Sequence, residues 1–213
     1  MSIGRLRAGD RLVLASHNKG KLAEFQDLFE PYGLELISAA ELGLPEPDET
    51  GTTFAENARI KAHASAQGSG MLALSDDSGL CVQALGGDPG VYTADWAGVP
   101  RDFNHAMKRV EDALQAANAT SPSQRRAYFN ATLCLADPDG EDVIFEGRCD
   151  GMLVWPPRGE RGHGYDPVFM PDGYDITFGQ MPAEMKHSWT PGQQGLSHRA
   201  RAFAQFVERQ IER

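Results

Sequence analysis

The chain predicts an α/β fold built on a mixed β-sheet flanked by helices, and three observations carry that expectation. Short apolar runs alternate with helix-like stretches over the first third of the sequence, the pattern of parallel strands joined by helical connections. Two longer strand-like segments then meet across Asp137-Pro138-Asp139-Gly140, a turn sequence that adds antiparallel pairing. The 213 residues are 41% hydrophobic, enough for a sizeable core, and read as a single domain over 1–213.

Each element follows from its residues. The apolar run 12–15 reads as a buried strand. A helix over 21–30 places Leu22, Phe25, Leu28 and Phe29 at helical spacing, and Pro31 and Gly33 end it. A second strand covers 34–37, and the stretch 44–53, rich in Pro, Asp and Glu, is a loop. A helix over 54–67 gathers Ala55, Ala58, Ala62 and Ala66 on one side and closes at Gly68 and Gly70. The strand 71–74 leads into Ser75-Asp76-Asp77-Ser78-Gly79, which reads as a strand end followed by a tight turn. A Gly-rich stretch, 85–90, precedes a helix over 102–118 with Phe103, Ala106, Val110, Ala113 and Leu114 on its apolar side. Strands follow at 127–135, 143–148 and 151–155, then a loop at 156–164 and a short apolar run at 167–170. A last helix covers 199–212 on Phe203, Phe206, Val207 and Ile211.

Charge excludes some functions. A net charge of -10 argues against a broad nucleic-acid surface, which needs clustered positive charge, although a few local lysines can still hold a small anion. Cys81, Cys134 and Cys149 are scattered and form no Cys-x-x-Cys pair, so they read as small buried residues of a reducing compartment. No secretory signal and no membrane-spanning run is seen, and the expectation is a soluble cytoplasmic protein. The six histidines lack metal-ligand spacing, and no nucleophile elbow occurs.

Five short segments could carry chemistry. Asp76-Asp77 cannot be buried ionised without compensation, and a Mg²⁺ ion would supply it; a polar turn is the plainer reading. Ser16-His17-Asn18-Lys19-Gly20-Lys21 lies between a strand and a helix, a junction suited to an anion or simply to a capped helix with solvated lysines. Glu49 precedes the second helix, on which Glu56 and Lys61 lie; Glu49 could reach a metal and Lys61 a phosphate, or the segment is an acidic helix start. Gly162-His163-Gly164-Tyr165-Asp166-Pro167 suits base stacking or a turn with a core Tyr, and Ser197-His198-Arg199 either caps the last helix or reads a base.

Taken in order, Ser16-x-Asn18-x-x-Lys21, Glu49-Thr50-Gly51-x-Thr53-Phe54-x-Glu56-Asn57-Ala58, Asp76-Asp77-Ser78-Gly79-Leu80, Leu85-Gly86-Gly87-x-Pro89-Gly90, Gly164-Tyr165-Asp166-Pro167 and Ser197-His198-Arg199 resemble the inosine triphosphate pyrophosphatase family of XTP/dITP diphosphatases. The resemblance spans nearly the whole chain. It implies hydrolysis of non-canonical purine nucleoside triphosphates (ITP, dITP, XTP) to the monophosphate and pyrophosphate, removing them from the nucleotide pool. It implies Mg²⁺, a homodimer, and an elongated mixed sheet of two lobes with a central active-site cleft. By the same resemblance Asp77 is the catalytic carboxylate and a metal ligand, and Glu49 the second metal ligand. Ser16, His17, Asn18, Lys19, Gly20, Lys21, Lys61, Ser78, Lys186 and Arg199 would contact the nucleotide. His163, Gly164, Tyr165 and Asp166 would hold the base, with His198 and Arg199 near its 6-position.

This chain departs from the pattern in three places. His17 stands where glycine is usual, tightening the phosphate loop. His163 stands where an aromatic ring usually stacks on the base. The stretch 188–195 lengthens the gap between Lys186 and Ser197-His198-Arg199, and its Trp189 is expected to cover the base. A relative acting on modified pyrimidine triphosphates, and a nucleotide sensor, are the alternative readings.

Overall fold

A computed structural model describes residues 3–188 and 195–212; Trp189 lies outside them. In chain order the strands are β1 (Arg11–Leu14), β2 (Glu35–Ser38), β3 (Ala73–Val82), β4 (Arg126–Ala136), β5 (Asp142–Leu153) and β6 (Phe169–Pro171). The helices are α1 (Lys19–Phe29), α2 (Phe54–Ser69), α3 (Phe103–Ala116), α4 (Ala183–His187) and α5 (His198–Gln210). The strands order as β2-β1-β3-β4-β5-β6 in one sheet. β1 runs parallel to β2 and β3, and β5 antiparallel to β6, so the expected mixed α/β sheet is present.

The chain divides into two compact units: Met1–Asp77, Thr132–Glu146 and Ala202–Arg213 form the first, Ser78–Ala131 and Gly147–Arg201 the second. In the first, Val13 on β1, Ala73 on β3 and Cys134 and Ala136 on β4 pack with Ala58, Ala62 and Ala66 of α2. Of the alanine stripe predicted for α2, Ala58, Ala62 and Ala66 at i, i+4 and i+8 are fully buried on this face, while Ala55 at the helix start is half-buried. A second patch stacks Phe29 edge-on against Phe203 and Phe206 at 4.9 and 5.4 Å between ring centres. Each such pair adds about 0.5–1.5 kcal/mol beyond area burial. In the second unit, Leu80, Val82, Val110, Leu114, Phe129, Phe169 and Phe178 belong to one core. All three cysteines are buried thiols, as expected.

The structure corrects several sequence expectations. β3 does not end before the carboxylate pair; it runs ten residues, through Asp76 and Asp77 to Val82, with no turn at Ser78-Gly79. The strand persists because both its faces are covered and each carboxylate finds a lysine. β5 is one strand rather than two, 143–148 and 151–155 being merged. Gly151 was read as a strand start, but it pairs with Pro171, and a Cβ there would stand 2.3 Å from the Met170 carbonyl oxygen. It marks where the β6 backbone comes close. α4 was not anticipated; five residues are too few to show a period. α1 starts at Lys19, because Asn18 caps it, and α2 runs through Gly68 to a left-handed cap at Gly70.

Candidate active site

The first unit builds a buried cluster of opposite charges. The Asn18 Oδ1 accepts from the backbone N–H groups of Gly20 and Lys21 at 2.9 and 3.2 Å, which starts α1. The amides expected to stay open for an anion are therefore partly taken by this cap. Lys19 and Gly20 are exposed, and Lys21 turns inward, its Nζ 2.8 Å from Asp76 Oδ2. His17 Nε2 lies 3.0 Å from the carbonyl oxygen of Leu44.

α2 opens with a capping box: Thr53 Oγ1 accepts from the Glu56 N–H, and Glu56 Oε2 accepts from the N–H groups of Thr52 and Thr53. Those bonds hold the Glu56 carboxyl below its usual range, so Glu56 is the helix-start residue its position suggests. Gly51 is required for room: a Cβ would stand 2.6 Å from both Asn57 Oδ1 and Glu56 Cβ. The Gly51 N–H donates to Asn57 Oδ1 at 2.8 Å, tying the acidic loop to α2. Lys61, one turn further along, is buried, and its Nζ donates to Asp77 Oδ1 at 2.8 Å and to Glu49 Oε1 at 3.1 Å.

On β3, successive side chains alternate between the two faces of the strand. Ser75 donates to the Ala58 carbonyl of α2 at 2.6 Å, and Asp77, two residues on, meets Lys61 of the same helix. Asp76 turns the other way and meets Lys21. Burial pushes the Asp77 carboxyl up to about 6, and Glu49 adds to this, against the pull of Lys61 and Lys21. Burial works against the Lys61 charge, but Asp77, Glu49 and Asp76 together outweigh it and raise its pKa. Asp77 Oδ2 is buried and has no hydrogen-bond partner among the described residues. Leaving such an atom unpaired costs about 1–3 kcal/mol, more when charged.

The donor set suits a hard cation. Among the described residues the ion pairs of Glu49, Asp76 and Asp77 run to Lys21 and Lys61, so three carboxyl groups share two ammonium groups, and the open Oδ2 of Asp77 lies in this acidic cluster. Among the described residues no three His, Cys, Asp or Glu side chains converge as a complete metal cage. Mg²⁺ needs none, since it takes one or two carboxylates and fills its shell with water and phosphate oxygens.

The second unit gathers the other candidates. Asp166 Oδ2 accepts from Lys186 Nζ and from the His163 N–H, both at 3.0 Å. Lys186 is nearly fully buried, although the long 188–195 stretch separates it from Ser197-His198-Arg199 in sequence. Gly162, with φ +80°, leaves no room for a side chain: a Cβ would lie 1.9 Å from Asp166 Oδ2 and 2.7 Å from Lys186 Nζ. His163 itself is exposed. Tyr165 does not present its ring to a ligand: it is 1% exposed, packs edge-on against Phe103, and donates its hydroxyl to the Thr93 carbonyl at 3.0 Å. It is the core tyrosine of a turn, and Gly164 lies against the same Phe103. Ser197 accepts from the Ala200 N–H and caps α5. Arg199 Nη2 donates to Ser78 Oγ at 3.0 Å. His198 stacks on Phe129, ring centres 4.9 Å apart and planes 16° apart. Phe129 carried no signal in the sequence, being one apolar residue within a strand.

A family model described as Ham1 family matches residues 12–209. The chain is 60% identical over 208 residues to the dITP/XTP pyrophosphatase of Mesorhizobium japonicum, covering 96% of this chain and 94% of that protein. It is 61% identical over 201 residues to the dITP/XTP pyrophosphatase of Rhizobium meliloti, covering 92% and 94%. Among solved structures, a HAM1 protein from Coxiella burnetii superposes with a TM-score of 0.84 at 34% identity, over 93% of this chain and 97% of that one. A nucleoside-triphosphatase / dITP/XTP pyrophosphatase from Mycobacterium abscessus superposes with a TM-score of 0.68 at 36% identity, over 82% and 90%.

Proposed function

The chain belongs to the Ham1 family, and from that premise we propose how its residues divide the work of its reaction. The enzyme hydrolyses non-canonical purine nucleoside triphosphates, the class its dITP/XTP pyrophosphatase relatives are named for. The products are the nucleoside monophosphate and pyrophosphate, and the role is to clear such nucleotides from the pool. One observation carries the residue assignment: Asp77 Oδ2 is buried, open and part of a carboxylate whose pKa is lifted toward neutrality.

A carboxylate with a pKa near 6 takes a proton well near neutral pH, so Asp77 orients the attacking water and accepts its proton. Lys21 and Lys61 balance negative charge that builds on the phosphate oxygens, each already fixed by a carboxylate and so needing little reorganisation. Ser16, Asn18, Lys19, Gly20 and Ser78 complete the phosphate contacts, His17 being held instead by the Leu44 carbonyl. Asp77 and Glu49 are the residues that would hold Mg²⁺, which when bound supplies Lewis-acid stabilisation of phosphate oxygens. Asp76 supports Lys21.

For the base, Asp166 is held in place by Lys186 and the His163 N–H, and offers an acceptor to a purine N–H. His163 and Gly164 flank it, while Tyr165 serves as the frame. His198 and Arg199 supply donors to a 6-oxo group. Adenine carries an amino group there and leaves those donors unpaired, a penalty of about 1–3 kcal/mol for each. By this reading the working protein is a cytoplasmic homodimer. No described helix is long and apolar enough to cross a membrane.

Pyrophosphate release from ITP and XTP, compared with ATP and dTTP, with Mg²⁺ or with chelator, tests the reading. The expected result is release from the 6-oxo purines only when Mg²⁺ is present. Faster release from dTTP would move the enzyme to pyrimidines, and equal rates with chelator would remove the metal. Gly162→Ala is expected to raise KM for ITP about tenfold with kcat little changed, because the new methyl displaces Asp166 and Lys186. An unchanged KM would take Asp166 out of base binding.

A further inference from the structure

We propose that His17 is a positioning residue, which ties the 16–21 loop to the acidic loop and so fixes where Glu49 stands. The inference rests on the pyrophosphatase reading, and it assigns His17 a task other than contact with a phosphate. A carbonyl oxygen only accepts, so the bond to Leu44 requires that His17 Nε2 carries the proton and donates it.

The point it grips is a fixed one. The Leu44 N–H donates to the Ala39 carbonyl at 3.0 Å, and the Ala39 N–H in turn donates to the Leu14 carbonyl at the end of β1. The Leu44 side chain packs on the core of the first unit, where a Cβ at Gly68 of α2 would stand 3.0 Å from it. His17 is fixed from the other side, because the Ser16 N–H also donates to the Leu14 carbonyl, at 2.8 Å. Its ring thus closes a short circuit: β1, the loop before α1, Leu44, and back to β1.

From Leu44 the chain runs through Pro45-Glu46-Pro47-Asp48 to Glu49. Two prolines with φ held near -65° make this a stiff arm rather than a slack one. Its far end is caught by Lys61, which also holds Asp77. An exposed loop that must present a carboxylate beside a buried one needs an anchor at its root, and the His17–Leu44 bond is such an anchor. Losing it leaves Glu49 attached to Lys61 but free to sample positions away from Asp77.

The test compares His17→Ala, which removes the donor, with His17→Gln, whose amide N–H can reach the same carbonyl. Two measurements are made on the full chain. Amide hydrogen exchange of segments 16–21 and 44–53, without nucleotide or metal, is expected to quicken about three- to tenfold in H17A, the fold-change of one neutral hydrogen bond, and to stay at the wild-type level in H17Q. Steady-state hydrolysis of ITP with titrated Mg²⁺ is expected to show half-saturating Mg²⁺ and KM for ITP raised by a similar factor in H17A, kcat nearly unchanged, and H17Q restored between pH 6 and pH 9. Unchanged exchange in H17A overturns the proposal. So does an H17Q that behaves as H17A, or a wild-type KM that climbs with pH in a manner H17Q abolishes, since either result makes the imidazole a direct phosphate ligand. A wild-type protein inactive on ITP would sink the pyrophosphatase reading instead, with the exchange measurement still deciding the tether.

Discussion

Asp77→Asn lowers pyrophosphate release from ITP by at least about a hundredfold while the chain stays folded, the loss expected for a positioned proton acceptor. The amide oxygen can replace Oδ1 and go on accepting from Lys61 Nζ. The amide nitrogen then stands where Oδ2 was, and it neither takes a proton from water nor binds a cation. Stability should move little. Burial already makes the ionised Asp77 costly, and a neutral amide escapes that cost while giving up the attraction of Lys61. The measurement is kcat for ITP beside a thermal melt. A rate within a few-fold of wild type would remove Asp77 as the base. A collapsed melting temperature would mean that the pair is chiefly structural.

Lys61→Met is the second large effect, and it is read in stability. The lysine lies between two carboxylates, one of them buried, and its removal leaves Asp77 without its principal counter-charge. Breaking a buried pair on one side typically costs about 3–5 kcal/mol. The loss depends on pH with a definite sign. The Asp77 carboxyl, already raised to about 6 in the folded chain, rises further once Lys61 is gone. A carboxyl whose folded pKa lies above its unfolded value binds more protons folded than unfolded between the two, so stability falls as pH rises through that window. Urea melts of the metal-free variant should therefore show the deficit largest near pH 8 and shrinking toward pH 5. A deficit that is flat with pH would place the cost in packing rather than in charge.

The segments proposed to carry the chemistry were readable in the sequence because each is contiguous: a capped loop with lysines, an acidic loop before a helix, a carboxylate pair, two late turns. What holds them together was not. Asp76 finds Lys21 across 55 residues and Asp77 finds Lys61 across 16, and no local pattern reports either pairing. Without those partners Asp-Asp-Ser-Gly reads as a turn, since Asp, Ser and Gly favour turns; with them the strand continues. Tyr165 shows the converse, a ring between glycines that fits a ligand site in sequence and a core in space. Lys186 and Phe129 depend wholly on tertiary neighbours: one is buried against Asp166, the other lies beneath His198. Fold class was the easiest to read, because alternating strand and helix periods are a property of short windows.

The strand through Asp76 and Asp77 sets a parity rule. Since the pleat repeats every two residues, neighbouring carboxylates are addressed to different helices, while carboxylates one residue further apart would compete for the same one. Deleting a single residue from the stretch Ala73 to Ser75 would swap the addresses, sending the carboxylate meant for Lys61 toward Lys21. Deleting two would restore them. A transplant of this motif into another sheet must therefore keep odd and even positions in step with the helices on either side, a constraint that substitution tables based on residue similarity do not contain.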